Sequence, residues 1–365
     1  MFSYIKYLKY FFYKKYPVEI TFFVTANCNF RCRHCFNWKK IKKFNPQNEL
    51  SIKEIRQMTK TIPPFLRLSL SGGEPFLRND LVEICQAFYE NCHIKFITIP
   101  TNASLPKKII GDVEKILTLC PKLFLHISIS VDGLGKDRDN IVGRKNTFKK
   151  LIETARKLKK LKNKYANLKF GVITTQTPNN EKQLDKIYKF CLKTLKVDNF
   201  GFNLVRMNPK DKKETNADLI IYKRFTQKLA NDKGPSVFSF PFSALFAAKK
   251  NIVFKQVLKI NKEKKYQSAC YSGKLRVVID ELGNIYPCET LQYCNNKNIF
   301  LMGNIREYKL DFKKVFFSPK AQKIKNHIKK TKCFCAHECD LETNILFNLK
   351  YFPQIFFEAI KNILK

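Results

Sequence analysis

Three cysteines stand close together near the start of the chain, Cys28, Cys32 and Cys35, in a Cys-x3-Cys-x2-Cys spacing that directly follows the apolar run at residues 18–25. Thiolates at this spacing can hold three corners of a cubane iron–sulfur cluster, since Cys sulfur is the usual iron ligand there. No fourth cysteine is near, the next being Cys85. A cluster held by three would keep one iron open for a small molecule, an arrangement for chemistry rather than electron storage. A zinc knuckle is the other use of the same thiols. Zinc sites usually gather paired Cys-x2-Cys or Cys/His sets of four ligands, and His34 lies between two of the cysteines, where all four would not easily converge.

A second group follows far along the chain: Cys270, then Gly283 and Cys288 in Gly-Asn-Ile-Tyr-Pro-Cys, then Cys333-Phe-Cys335-Ala-His-Glu-Cys339. Five thiols are too few for two fully Cys-ligated clusters, and four of them around one Zn²⁺ is the zinc alternative. Gly283 fits the turn of a hairpin between residues 275–279 and 284–287. Cys294 is a spare, and Cys85, Cys92, Cys120 and Cys191 read as structural thiols on helices or loops.

The elements that must position these groups alternate in type. Strands are expected at 18–25, 66–71, 94–100, 123–131, 168–175 and 200–206, with helices at 51–61, 79–90, from Pro106, 147–164, 181–193 and 217–230. Ser51 with Glu54 three residues on forms a capping box. Short β-rich runs alternating with helical patterns indicate parallel βα units, here about six, a partial version of the eight-unit TIM-type barrel. The polar residues gather at the strand ends. The first three cysteines close the first strand, Ser71-Gly72-Gly73-Glu74-Pro75 the second and Pro100-Thr101-Asn102 the third. Ser128, Ser130 and Asp132 close the fourth, Thr174-Thr175-Gln176 the fifth, and Asn203 with Arg206 the sixth. In α/β barrels the active site lies at that face.

The cysteine stretch together with Ser-Gly-Gly-Glu-Pro resembles the radical S-adenosylmethionine (SAM) enzymes over about residues 18–235. Cys28-x3-Cys32-x-His34-Cys35 has the family spacing, with an aromatic-type residue before the third Cys, and Gly72-Gly73-Glu74 follows the second strand as in that family. The resemblance implies that Cys28, Cys32 and Cys35 bind a 4Fe-4S cluster whose open iron takes the amine and carboxylate of SAM. One-electron reduction then yields a 5′-deoxyadenosyl radical that abstracts hydrogen from substrate. The Gly pair would let backbone approach the ligand, and Glu74 would add a charge-assisted hydrogen bond to the methionyl ammonium. Ser130 and Asp132 match the region that contacts the SAM amino acid and ribose, while Thr101, Asn102 and His34 belong to the same cofactor-binding set. Relatives often carry Ile-Arg-Gly where this chain has Ile141-Val142-Gly143-Arg144, so whether Arg144 meets the SAM carboxylate is open. No catalytic acid or base is named.

The Cys-x(9–15)-Gly-x4-Cys opening of the second group resembles the auxiliary-cluster extension of these enzymes, called SPASM in its full form and twitch in its shorter one. It implies an auxiliary 4Fe-4S cluster held by Cys270, Cys288 and two of Cys333, Cys335 and Cys339. The implied fold is α/β, a partial (β/α)6 barrel at 18–235, a connector at 236–264 and a small iron–sulfur domain at 265–345. Amphipathic helices at 1–17 and 346–365 complete the chain. Implied partners are SAM, a one-electron donor such as flavodoxin or ferredoxin, and an unidentified peptide, small-molecule or lipid-linked substrate. No room is expected before residue 18 for a leader-binding module.

Composition bounds these readings. Thirteen Cys without a signal-peptide pattern indicate a reducing compartment, hence a cytoplasmic protein. The charge of +39, from 69 basic and 30 acidic residues, invites a nucleic-acid or anionic-membrane reading. The basic residues are mostly Lys, whereas base reading and bidentate phosphate contacts favour Arg. A basic nucleic-acid-binding protein with structural zinc sites is the alternative, and it leaves the Gly-Gly-Glu placement unexplained. The two amphipathic ends are candidates for peripheral membrane contact at the inner face.

Overall fold

The computed structural model describes residues 12, 14–232, 234–236, 242–294 and 297–364. Most of the expected first helix and part of the connector, residues 237–241, therefore lie outside the described residues.

Six strands form a parallel series: β1 (Glu19–Thr25), β2 (Arg67–Gly72), β3 (Phe96–Thr101), β4 (Phe124–Ser130), β5 (Leu168–Gln176) and β6 (Asn199–Leu204). Every residue of β1 is buried, the mark of a strand covered on both faces. Neighbours pair in chain order, so all six C-terminal ends meet on one rim. Helices α1 (Trp38–Lys42), α2 (Ile52–Thr61), α3 (Leu81–Cys92), α4 (Pro106–Leu119), α5 (Gly135–Val142), α6 (Thr147–Lys164), α7 (Leu184–Phe190) and α8 (Leu219–Asn231) connect them. The capping box at Ser51 and Glu54 forms at the start of α2. In α6, Leu151, Ala155, Leu158 and Leu161 make the buried stripe, and the lysines between them face outward.

The sheet does not stop at six strands. After α9 (Phe242–Glu263), β7 (Arg276–Ile279) joins the free edge of β1 in parallel, Glu19 opposite Arg276, and β8 (Asn284–Tyr286) and β9 (Gly303–Asn304) extend it antiparallel to a nine-stranded sheet. Gly283, at φ +85°, makes the expected turn. Helices α10 (Glu289–Gln292), α11 (Phe312–Phe316), α12 (Pro319–Lys330), α13 (Glu338–Leu346) and α14 (Phe352–Leu364) follow.

Three local expectations need correction. Strand β6 ends at Leu204, so Arg206 stands beyond it. The helix expected over 181–193 is a 3-10 turn, α7 and a π turn at Cys191–Leu195, which ends at Lys196 with φ +55°. Helix α5 was not expected at all; its eight residues bury only Arg138, Ile141 and Val142 and carry little apolar periodicity.

Candidate active site

The first cysteine loop leaves β1 at the rim and is gripped from several sides. Arg31 N donates to Val142 O (3.0 Å) and Arg33 N to Ile141 O (2.9 Å), pinning the loop to the end of α5. Phe30 buries with Ile141 and Val142 in a small cluster against which Cys28 and Cys32 rest. Lys210 N donates to Cys35 O (3.0 Å) from the segment after β6. All three cysteines stay partly exposed. Burial raises each thiol, Cys28 to about 12, and the neighbouring sulfurs add to the shift of Cys28 and Cys32. The sulfurs are thus gathered within electrostatic reach of one another.

Gly72 and Gly73 pass so close to the start of this loop that a Cβ would lie 2.1 Å from Thr25 O and 1.9 Å from Asn27 O respectively. Gly73 N and Glu74 N donate to those same carbonyls at 2.8 Å. Close backbone approach is needed here between two segments of the chain, not only toward a ligand. Glu74 has partners within the chain. Its buried carboxylate accepts from Thr101 Oγ1 (2.9 Å), Asn102 N (2.6 Å) and Phe76 N (3.2 Å). Burial lifts its pKa to about 7 against these lowering bonds. With three of about four acceptor positions used, Glu74 ties the second strand end to the third.

The remaining expected residues converge on the loop. Asn102 Nδ2 donates to Asn29 Oδ1 (2.8 Å). Asp132 accepts from Thr175 N (2.8 Å), and its other oxygen lies 3.6 Å from His34 Nε2. His34 Nδ1 is buried without a partner. The Ser130 carbonyl accepts from Arg138 Nη1 at 2.6 Å. Arg144 Nη1 donates to Asn29 O (3.0 Å), so it stands against the cysteine loop rather than away from it.

Three positioning residues escaped the sequence reading. Arg138, 1% exposed, bridges the carbonyls of Ser130 and Asn102 and keeps Nε without a partner. Glu49 accepts from Thr25 Oγ1 (2.9 Å) and Ala26 N (2.7 Å), and Arg78 Nη1 donates to Val24 O (2.6 Å). An isolated buried Arg or Glu leaves no periodic signal, and their partners are carbonyls and amides that no motif encodes.

The second cysteine set is drawn from three separated segments. Cys270, Cys333 and Cys335 line one small cavity with Ile260, Leu341 and Asn344. Burial, then Asp340, Cys335 and Cys270, raise the buried Cys288 thiol, and burial with Cys270 raises Cys333 to about 11. Cys339 lies within electrostatic reach of Arg206 and Arg276. Cys333 and Cys335 thus lie beside Cys270, which is within electrostatic reach of Cys288. Among the described residues no three His, Cys, Asp or Glu side chains close tightly enough to hold a single metal ion. Two gathered thiol sets, one of three and one of four, are soft-donor sites that suit iron–sulfur clusters.

A buried charged network joins the two sets. Arg276 meets Asp340 (3.1 Å), Glu19 (3.2 Å) and Glu289 (3.5 Å). Arg206 Nη2 pairs with Glu289 (2.9 Å) while its guanidinium stacks 5.2 Å from the Phe36 ring, beside Cys35. Tyr293 OH donates to Asn37 Oδ1 at 2.7 Å. Arg206 Nη1, Asn37 Nδ2 and both amide atoms of Gln292 are buried without partners.

Comparison with known proteins agrees with this arrangement. The profile of the Radical SAM superfamily matches residues 22–191, and that of an iron–sulfur cluster-binding domain, SPASM, matches residues 270–340. A pre-heme d1 synthase of Dinoroseobacter shibae is 28% identical over 170 residues, 46% of this chain and 39% of that protein. A GTP 3′,8-cyclase of Klebsiella pneumoniae is 31% identical over 133 residues, again 39% of its length. The matches thus span about two fifths of these curated relatives. An S-adenosylmethionine-dependent nucleotide dehydratase of Fibrobacter sp. strain UWH6 is 26% identical over 259 residues, 65% of this chain and 71% of that protein. Among solved structures, Streptococcus suis SuiB bound to S-adenosylmethionine superposes with TM-score 0.59 at 19% identity, covering 88% of this chain and 71% of SuiB. The protein anSMEcpe with bound AdoMet gives 0.56 at 18%, covering 94% and 92%; at these identities both speak for the fold alone. The chain belongs to the radical SAM superfamily, with a C-terminal SPASM-type iron–sulfur domain, and its cofactors are a 4Fe-4S cluster, S-adenosylmethionine and auxiliary iron–sulfur.

Proposed function

We propose that this enzyme cleaves SAM reductively at the Cys28–Cys32–Cys35 loop and takes hydrogen from a substrate held between the two cysteine sets. When bound, the cluster supplies the electron that splits SAM into methionine and a 5′-deoxyadenosyl radical. The observation that carries the reading is the three-thiol loop at the strand-end rim, partly exposed and clasped by Gly72, Gly73 and α5. In this reading Asp132, Arg138, Asn102 and Ser130 shape the SAM pocket. Arg144, anchored on Asn29 O, keeps further N–H donors for the SAM carboxylate. Glu74 positions the pocket wall.

Cys270, Cys288, Cys333 and Cys335 would hold an auxiliary 4Fe-4S cluster that anchors substrate or takes back an electron. The substrate would sit by Phe36 and α10, where the unpartnered Arg206 Nη1, Asn37 Nδ2 and Gln292 amide offer several donors and one acceptor. Because Glu289 already offsets the charge of Arg206 at 2.9 Å, the spare N–H favours a neutral carbonyl over a carboxylate. An amide-bearing substrate fits, which favours a peptide-maturase-like activity over oxidation of a small alcohol. SuiB has been solved with its precursor peptide and anSMEcpe with a peptide, and this chain shares their fold. An acidic one-electron donor, flavodoxin or ferredoxin, would suit the +39 surface.

The test is anaerobic reconstitution with iron and sulfide, then SAM and dithionite. Release of 5′-deoxyadenosine supports the reading. A zinc-loaded chain that releases no nucleoside overturns it.

A further inference from the structure

Helix α14 is covered on one side only. Ile355 and Ala359 bury against the core, while Phe356 (60% exposed), Phe357 (70%), Ile360 (38%) and Ile363 (48%) face outward. At 100° per residue these four span roughly 120° of the helix surface, an apolar sector as wide as the buried stripe of an ordinary amphipathic helix. The two phenylalanine rings stand edge to face, 6.4 Å apart. Outward aromatics at this density on one helix call for a partner.

The surroundings say what kind. On neighbouring α9, Lys255, Lys259 and Lys262 are exposed at i, i+4 and i+7 and form a cationic stripe. Lys255 pairs with Glu358, tying that stripe to α14 and cancelling the one acidic side chain of the helix. A second basic and aromatic stretch precedes Tyr16 in the chain. Tyr16 rests against Phe317 (5.4 Å) and clusters with Leu346 and Phe347, just before α14 begins. The chain preceding it, Met-Phe-Ser-Tyr-Ile-Lys-Tyr-Leu-Lys-Tyr-Phe-Phe-Tyr-Lys-Lys, alternates rings with Lys and has no acid before Glu19. A second copy of this chain would set +39 against +39, so self-association is opposed by charge. Among the described residues no helix is long and apolar enough to cross a membrane.

We infer that α14 docks in the plane of an anionic lipid bilayer, its four outward apolar side chains in the acyl boundary and the α9 lysines against the headgroups. This inference stands apart from the proposed substrate, since it uses no residue of either cysteine set.

The test is co-sedimentation of the reconstituted full-length chain with phosphatidylcholine vesicles, with and without about 30% phosphatidylglycerol as the anionic component. Binding to the anionic vesicles, weakened by salt, and loss of about tenfold in affinity in Phe356→Asp/Phe357→Asp are expected. Unchanged iron content and thermal midpoint show that this variant folds, as its exposed positions require. The inference is overturned if wild type stays in the supernatant or if the double variant binds equally. It is also overturned if only a variant lacking residues 2–11 binds, because those residues would then be the cover of α14.

Discussion

The two cysteine sets solve different problems with the same ligand. Cys28, Cys32 and Cys35 sit on a loop whose backbone is fixed by other backbone, through Gly72, Gly73 and the end of α5. Cys270, Cys288, Cys333 and Cys335 come from three separated segments and meet over a buried network of Arg276, Glu289 and Asp340. Three thiols leave one corner of a cubane cluster for a cosubstrate; four do not. The difference shows that the number of corners filled sets the role of a thiol site.

The largest effect expected from breaking this contrast comes from replacing Cys28, Cys32 and Cys35 together by Ala. Iron should fall from about eight per chain to about four, and 5′-deoxyadenosine release to background, as measured by iron assay and mass spectrometry. Next come Cys288→Ser and Cys335→Ser, each losing the other half of the iron while nucleoside release without substrate stays within about twofold. Cys339→Ser should keep all the iron; if it behaves like Cys335→Ser, the assignment of the fourth ligand is wrong.

Smaller effects sharpen how each set is held. In Gly73→Ala the new methyl must displace Asn27 O, for a loss of about 1–3 kcal/mol or more in denaturant unfolding. Gly111→Ala, inside α4 with open space at Cβ, should gain about 0.5–1 kcal/mol. The smallest effect concerns the clamp between the two regions. Arg306, just past β9, pairs with Glu54 on α2 at 2.7 Å and holds the carbonyls of Asn48 and Glu49. Its hydrogen bond is the main cause that holds the Glu54 carboxyl down at about 2. A depressed carboxyl stabilises above its ordinary pKa, and the contribution disappears as pH falls from about 4.5 toward 2. Arg306→Ala should remove that pH dependence, for less than about 1 kcal/mol at neutral pH because the guanidinium is over a third exposed. Thermal unfolding of both proteins across that range checks it.

Much of the site could be read without coordinates. The strand–helix alternation predicted the parallel series, α6 over 147–164 matched at both ends, and Gly283 sits in its turn. What stayed hidden has physical causes. Arg138 lies on a helix with three buried residues and no stripe to reveal it. The join of β7 to β1, and the Glu19–Arg276 pair it creates, spans residues too distant for any local pattern. Choosing among Cys333, Cys335 and Cys339 required side-chain direction, which Cys-x-Cys-x3-Cys spacing does not carry. Glu74 was identified by its motif, whereas its bonds to Thr101 and Asn102, which tie the second strand end to the third, were not.

The contrast between the three-thiol and four-thiol sites is tested most directly by electron paramagnetic resonance of two reduced variants, with and without SAM. In Cys288→Ser, which retains the three-thiol site, SAM should change the spectrum. In the triple Cys28/Cys32/Cys35→Ala variant, which retains the four-thiol site, SAM should leave it unchanged. A SAM-induced change in the triple variant would contradict the account.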